Sequence, residues 1–347
     1  MINVRQKDIA KKTGLSINTV SLALKNSPRV KKETRDLVQK LAQEMDYIPN
    51  SLARGLVQQD SKTIGVILKE FHTPILVQVT KEIERILNEK GYAMILMTTG
   101  GNVEREKEAI DILLSRQVNG ILIYPVEFGD YQKIEQLRRR EFPVVMMSYS
   151  GAQSPPADAV YVDRKLGAYR AVEHLIRLGH EKIAFIHGYN DVGINKMQGY
   201  VDALKDYKIS LDSRFLESTQ SVSYAEGFNA IGKVYDKVTP TAVFCSTDYL
   251  ALGVLSWCRK HGVRVPQDLA VIGHDDTEPA KFAEVPLTCM SYLTEEEAQI
   301  ATDALFRLMK QRTGEQQPIQ NTPIEPKLTI RESCGYAGGY IRNQIEK

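Results

Sequence analysis

Ile17, Asn18 and Ser21 are the first residues whose types and spacing suggest chemistry. They follow Gly14, which stands between Ala10 and Val20 at helix-turn-helix spacing. A small residue lets two helices approach, a glycine takes the left-handed turn, and a β-branched residue packs the second helix on the first. Ile9 and Leu15 add apolar contacts, and Ser16 is a good N-cap for a helix beginning at Ile17. Ile17, Asn18 and Ser21 then lie on the first turns of that helix, the turns that enter a major groove in this motif. The same spacing suits an ordinary pair of packed helices. Asp248 and Asp275 suggest a second chemistry, because each follows an apolar run, TAVFCST or LAVIGHD, that reads as a buried strand. A carboxylate at a strand's C-terminal end faces the place where open α/β sheets bind ligands, and it accepts hydrogen bonds from hydroxyls. Asp248 also suits N-capping the next helix, and Asp275–Asp276 also suits a turn.

The elements that would position these groups can be read along the chain. A third helix is expected from about Lys32 to Met45, with Leu37, Val38, Leu41, Ala42 and Met45 on one face to close a core over Ile9, Val20 and Leu24. Tyr47-Ile48-Pro49 stops it, since the residue before a proline avoids the helical region. Asn50 can cap a short helix, Ser51 to Val57, with too few apolar residues to be stable alone. From Thr63 the texture becomes strands alternating with helices: TIGVIL, YAMILMT, GILIYP, PVVMMS and VYVD, then KIAFIHG, TAVFCST, LAVIGHD and LTCMSY. An amphipathic helix, Pro74 to Lys90, follows the first strand. Near-continuous apolar strands between helices imply parallel sheets covered on both faces, and two series imply two doubly wound α/β lobes.

Charge divides the chain in the same way. Residues 1–60 hold 11 Lys/Arg against 6 Asp/Glu, leaving 34 against 37 for the remainder. A basic head on a slightly acidic body suggests that only the head meets a polyanion. A membrane surface would require a broad apolar helix face that this polar, glycine-turned segment lacks. Cys245, Cys258, Cys289 and Cys334 form no C-x-x-C pair and read as reduced, buried small hydrophobes. No signal peptide is seen, and no apolar run approaches the ~20 residues of a membrane span. A soluble, cytoplasmic protein is expected.

These stretches resemble the LacI/GalR (lactose/galactose repressor) family of bacterial transcription regulators along essentially the whole chain. The head carries DIAKKTGLSINTVSLAL, V-K-K-E-T-R and YIPNSLARGL; the body carries TIGVI, VNGILI, FPVV, VD-x3-G-x6-HL-x3-GH-x-KIAFI, STDYLALG and VPQDLAVIGHDD. The resemblance implies an all-α helix-turn-helix head (1–46), a hinge (47–61), an effector-binding core (62–336) and a tail (337–347). The core would be of the type I periplasmic-binding-protein kind, with lobes 62–162 plus 292–322 and 163–291 plus 323–336. By the same resemblance Ile17, Asn18 and position 22 read bases. Asparagine can pair bidentately with adenine, and isoleucine can pack on a thymine methyl. Leu22 stands where the family usually has arginine, which removes a guanine contact. Lys25 replaces the usual asparagine. Thr19, Ser21, Thr34, Tyr47 and the neighbouring basic residues suit phosphate positioning, and Ser16, the cap of the helix beginning at Ile17, is counted with the DNA-binding residues. Asn50, Ala53, Arg54 and Leu56 match a hinge helix that enters the minor groove with a leucine wedge, although Leu56 also suits packing on the core. Lys196 stands where most relatives carry an effector-clamping arginine, and lysine cannot reproduce a bidentate fork. Phe71, His72, Tyr124, Ser148 and Tyr224 are candidate walls beside Asp248 and Asp275.

The resemblance thus implies a repressor that binds pseudo-palindromic operator DNA as a homodimer, controlled by a small effector, a sugar or related polar metabolite. No cofactor or metal is expected. An enzyme is the rival on such a core, but G-x-G-x-x-G, G-x4-G-K-[ST], G-x-S-x-G and H-E-x-x-H are all missing. A solute-binding transport protein would carry a signal peptide and no basic head. The glycine-containing tail has no leucine heptads, so a dimer is the expected limit of assembly. If Leu56 wedges the minor groove, Leu56→Ala should weaken operator binding by roughly 1–3 kcal/mol and leave effector binding intact. Fluorescence anisotropy on labelled operator checks this, and unchanged affinity in a folded variant removes the wedge.

Overall fold

In the head, apolar residues three and four apart on short helices have no sheet to pack on and must pack on one another. The computed structural model describes residues 4–47, 60–70, 74–126, 131–149, 154–188, 191–311 and 318–336. Asn50, Ala53, Arg54 and Leu56 of the expected hinge, with Phe71 and His72, lie outside the described residues. The chain divides into two compact units, 1–61 and 62–347.

The first unit holds α1 (Gln6–Thr13), α2 (Ile17–Leu24) and α3 (Lys32–Glu44). Ile9, Val20 and Val38, one from each helix, are fully buried together, and Ala10, Ala23 and Ala42 let the helices approach. Gly14 ends α1 in the left-handed region at φ 69°, where a side chain would be strained. The Ser16 hydroxyl accepts from the Thr19 N–H at 3.1 Å and so starts α2 as an N-cap.

The second unit contains β1 (Thr63–Leu68), α4 (Pro74–Glu89), β2 (Ala93–Thr98), α5 (Val103–Ser115), β3 (Gly120–Ile123), α6 (Gln132–Arg139), β4 (Val144–Met147) and β5 (Asp158–Val162). The chain continues through α7 (Arg164–Arg177), β6 (Ile183–Gly188), α8 (Asp191–Asp206), β7 (Leu216–Thr219), α9 (Tyr224–Tyr235), β8 (Ala242–Cys245) and α10 (Asp248–His261). It closes with β9 (Ala270–Asp275), α11 (Glu278–Lys281), β10 (Thr288–Ser291), α12 (Thr294–Lys310), β11 (Asn321–Ile324) and β12 (Lys327–Thr329). Two six-stranded sheets result, in the orders β11-β5-β4-β3-β1-β2 and β12-β10-β9-β8-β6-β7. Every neighbouring pair is parallel except β10 and β12.

Strand alternation sends side chains to both faces of each sheet. Ile64, Val66 and Leu68 meet α4 and α12, whereas Ile67 and Ile121 meet α5 and α6. The second sheet is covered likewise, by α9 and α10 on one face and α7 and α8 on the other. The chain passes between lobes three times: from β5 to α7, from β10 to α12, and from β11 to β12. Pro323 and Ile324 still pair with Tyr161 and Val162 in the first sheet. The third passage therefore lies at 325–326, two residues beyond the expected boundary, because a proline is tolerated in an edge strand such as β11. β7, β11 and β12 are short edge strands that apolar runs did not reveal. Among the described residues no helix is long and apolar enough to cross a membrane.

Candidate functional site

In the head, α2 turns Val20 and Ala23 inward, whereas Ile17, the first residue of the helix, is 55% exposed. Ser16, Asn18 and Lys25 are exposed beside it, and Ser21, Thr34 and Tyr47 are half-buried. The Thr19 hydroxyl lies 2.9 Å from that of Ser16, so both are partly engaged in the cap. Leu22 departs from the expected reading role. It is half-buried and packs against the head core, because an aliphatic side chain at that turn gains more from the core than from water. The exposed large apolar group of α2 is Ile17.

In the core, polar side chains from both lobes meet where the chain crosses between them. Arg164 opens α7 at the first passage. Its guanidinium donates to the Ser148 hydroxyl at the end of β4 and to the Tyr292 hydroxyl, 3.2 Å away, at the second passage. Ser148 and Tyr292 are themselves hydrogen-bonded. The Tyr124 hydroxyl, just beyond β3, donates to Glu297 Oε2 at 2.8 Å. Glu297 is fully buried on the first turn of α12, and its Oε1 has no hydrogen-bond partner among the described residues. Burial pushes its carboxyl up to about 7, opposed by the Tyr124 hydrogen bond, the Arg164 charge and the Ser148 backbone N–H.

On the other lobe, Lys196 is 1% exposed and donates to the Ser246 carbonyl at 2.5 Å. Burial pulls its ammonium down to about 8 against the attraction of Asp275 and Asp248. Asp275 Oδ1 lies 3.0 Å from Nδ1 of the buried His274. Burial, then Lys196, lowers that imidazole to about 4, so it is neutral and orients the carboxylate. Four non-glycine residues here have left-handed backbones: Ser148 (φ 56°), Asp275 (φ 123°), Asp276 (φ 63°) and Leu293 (φ 55°). Such conformations cost on the order of 1–3 kcal/mol each and persist only where the surroundings over-determine them.

Asp248 is one of those surroundings and does not face an open cleft. It is fully buried, its Oδ2 accepts from the Thr277 N–H at 2.7 Å and hydroxyl at 2.9 Å, and its Oδ1 accepts from the Cys289 thiol at 3.1 Å. Oδ2 is spent on the turn that follows Asp275 and Oδ1 on β10, so the expected effector contact becomes a clamp. Thr247, not Asp248, caps α10. Gly273 makes room for the clamp, since a Cβ there would lie 2.5 Å from Asp248 Oδ1. Arg331 holds the other side of the turn, donating to Asp276 at 2.5 Å. Tyr224 sits apart from the buried group, 46% exposed, with its ring 4.6 Å from that of Tyr249. A cleft of about 470 Å³ opens beside the second passage, lined by Gln78, Lys81 and Glu82 of α4, by Asp275 and Asp276, and by Leu293–Glu296.

Among the expected residues, then, Tyr124 and Ser148 lie on the first lobe's side of this seam, and Lys196 and Asp275 on the second. Arg164, His274 and Glu297 were missed. Arg164 had a signal, a cation placed directly at an expected passage. Glu297 had none, because TEEEA reads as acidic residues favouring a helix N-terminus.

Residues 6–50 match the model for bacterial regulatory proteins of the lacI family, and residues 172–334 match the periplasmic binding protein-like domain. The chain is 30% identical over 330 residues to the HTH-type transcriptional repressor CytR of Escherichia coli (strain K12), covering 94% of this chain and 95% of that one. It belongs to the LacI family. The ribose operon repressor of Haemophilus influenzae (strain ATCC 51907 / DSM 11121 / KW20 / Rd) is also 30% identical, over 94% of this chain and 97% of its own. The lac repressor dimer bound to operator and the anti-inducer ONPF superposes with a TM-score of 0.83 at 25% identity, over 95% of this chain and 99% of that one. Family membership makes the chain a DNA-binding transcriptional regulator and removes the enzyme reading.

The Asp248 clamp has a measurable consequence. Asp248→Ala leaves the Thr277 N–H and hydroxyl unpaired in the core and should lower unfolding stability by roughly 2–4 kcal/mol with no effector present. Urea denaturation reads this loss. A variant as stable as the parent would show that the turn is held without Asp248.

Proposed function

We propose that the protein is a cytoplasmic, homodimeric repressor whose grip on a pseudo-palindromic operator is set by a sugar or related polar metabolite bound at the seam. The observation that carries this reading is the unspent hydrogen-bonding capacity buried there. An ammonium has three donors, and Lys196 uses one of them among the described residues; Glu297 Oε1 is unpartnered. Asp275 stands beside Lys196, held by His274 in a strained backbone. Donors and acceptors converging from two lobes suit a ligand with several hydroxyls, and the ribose operon repressor is a relative whose name points to that chemistry. A ligand changes DNA affinity only by preferring one lobe arrangement, and a seam is where arrangements differ.

Assembly is supported by β2, an edge strand whose apolar Met94, Ile95, Leu96 and Met97 are only half-buried. Unpaired apolar edges seek a partner, and a second copy supplies one with the two-fold symmetry that paired half-sites require. Two predictions follow from this reading. Selection from random DNA should return a pseudo-palindrome with little guanine preference opposite Leu22; a single asymmetric site overturns the dimer, and an invariant guanine there overturns the assignment of Leu22. A thermal-shift screen of sugars and nucleosides should find the effector. Asp275→Asn should then bind operator normally but lose the response to an inducer, or lose effector-dependent binding if the ligand is a corepressor. Couplings of this kind are typically about 5- to 150-fold in affinity. A full parental response would make Asp275 a turn residue only.

A further inference from the structure

The lobe seam contains a carboxyl group in an environment that suits only one of its charge states. Glu297 is fully buried, its Oε2 takes a hydrogen bond from Tyr124, the Ser148 backbone N–H also favours its ionised form, and its Oε1 has no hydrogen-bond partner among the described residues. A carboxylate has about four acceptor sites to fill, so a bare oxygen away from water is costly for the ion and much less so for the neutral acid. The carboxyl also sits where movement would relieve it. Arg164 reaches across from the second lobe to Ser148 and Tyr292, and separating the lobes there would bring water to Glu297.

We propose that Glu297 makes the seam a proton-operated latch, shut while its carboxyl is neutral and released when the carboxyl ionises and draws in water. The closed seam would then bind a proton more tightly than the open one, so rising pH favours opening. Its placement at about 7, mainly by burial, puts the transition in the physiological range. The groups around it act in known directions. Tyr124 and Tyr292 are themselves pushed up by burial and stay neutral, and Arg164 favours the ionised form of Glu297. Beyond them, His274 at about 4 is already neutral, and Lys196 at about 8 titrates above the range of interest. Asp248 also titrates near 7, but its oxygens are tied to Thr277 and Cys289 within the second lobe. Replacing Glu297 alone separates the two.

The latch goes beyond effector control and can be tested with neither effector nor DNA, so its failure would leave the proposed function standing. Arg116→Cys at the end of α5 and Asp236→Cys at the end of α9 place dyes on exposed positions of the two lobes, and the four native thiols are buried. Single-molecule energy transfer on the full-length protein should show the closed population falling relative to the open one by roughly tenfold from pH 5.5 to pH 7.5. Glu297→Gln, which cannot ionise, should stay closed throughout. A parental distribution unchanged over this range overturns the latch. A Glu297→Gln profile that still shifts like the parent overturns the assignment to Glu297.

Discussion

Charge held away from water at the seam between two lobes is the constraint on which the rest of the core depends. An isolated ion there would be costly by several kcal/mol, so each must have partners. The fold supplies them from elements distant in sequence. Ser148 and Tyr292 receive Arg164, Tyr124 serves Glu297, and Ser246 and Asp275 surround Lys196. Partners from both lobes can converge only because the chain passes between them three times, which keeps the strands' C-terminal ends facing one another. The left-handed backbones at Ser148, Asp275, Asp276 and Leu293 are where the chain bends to make that convergence possible.

A site built in this way has two tiers. Asp248, Thr277, Gly273 and Arg331 form a frame within the second lobe, with both carboxylate oxygens of Asp248 engaged. Lys196, Asp275 and Glu297 retain capacity that the frame does not use. A frame without that capacity would be a well-packed fold and nothing more. The capacity without the frame would let the carboxylates turn away to find water. Strain at Asp275 is tolerated because the clamp on one flank and His274 on the other leave it no alternative.

Much of this was legible in the sequence because periodicity reports burial. Apolar runs placed the long central strands, and the spacing of Ala10, Gly14 and Val20 placed the head helices with Ser16 as their cap. The edge strands β7, β11 and β12 were not legible, since a short strand paired on one side need not be apolar. Asp275 was correctly placed at a strand end, but the same reasoning put Asp248 in the cleft. Position along a strand does not say which way a side chain faces, nor that Thr277 lies ready to occupy it. Glu297 was hidden for a related reason. Its helix start is acidic as many are, and only the fold shows that the third glutamate of the run turns inward while Glu295 and Glu296 line the outer cleft.

The helix that carries Glu297 also runs toward the point where the chain enters the core from the head. Glu297 lies on the first turn of α12, and Phe306 lies nine residues on, about 14 Å along the axis. Phe306 meets Tyr92 edge-to-face at 5.0 Å, and the Lys62 ammonium sits 4.5 Å from the centre of the Tyr92 ring and 3.2 Å from its hydroxyl. Lys62 immediately precedes β1, and its carbonyl accepts from Ala93 at the start of the exposed edge strand β2. A single packed helix thus touches the seam at one end and, near the other, the residues where the hinge segment joins and where a second copy would pair. Helices are stiff along their axes, and packed interfaces hold discrete positions better than graded ones. A displacement of α12 at the seam would therefore act on Phe306 and, through it, on Tyr92 and Lys62. Coupling along this path requires α12 to have two positions. The ionisation of Glu297, or a ligand engaging it, supplies a physical reason for a second position, because each changes what the first turn of that helix must contact.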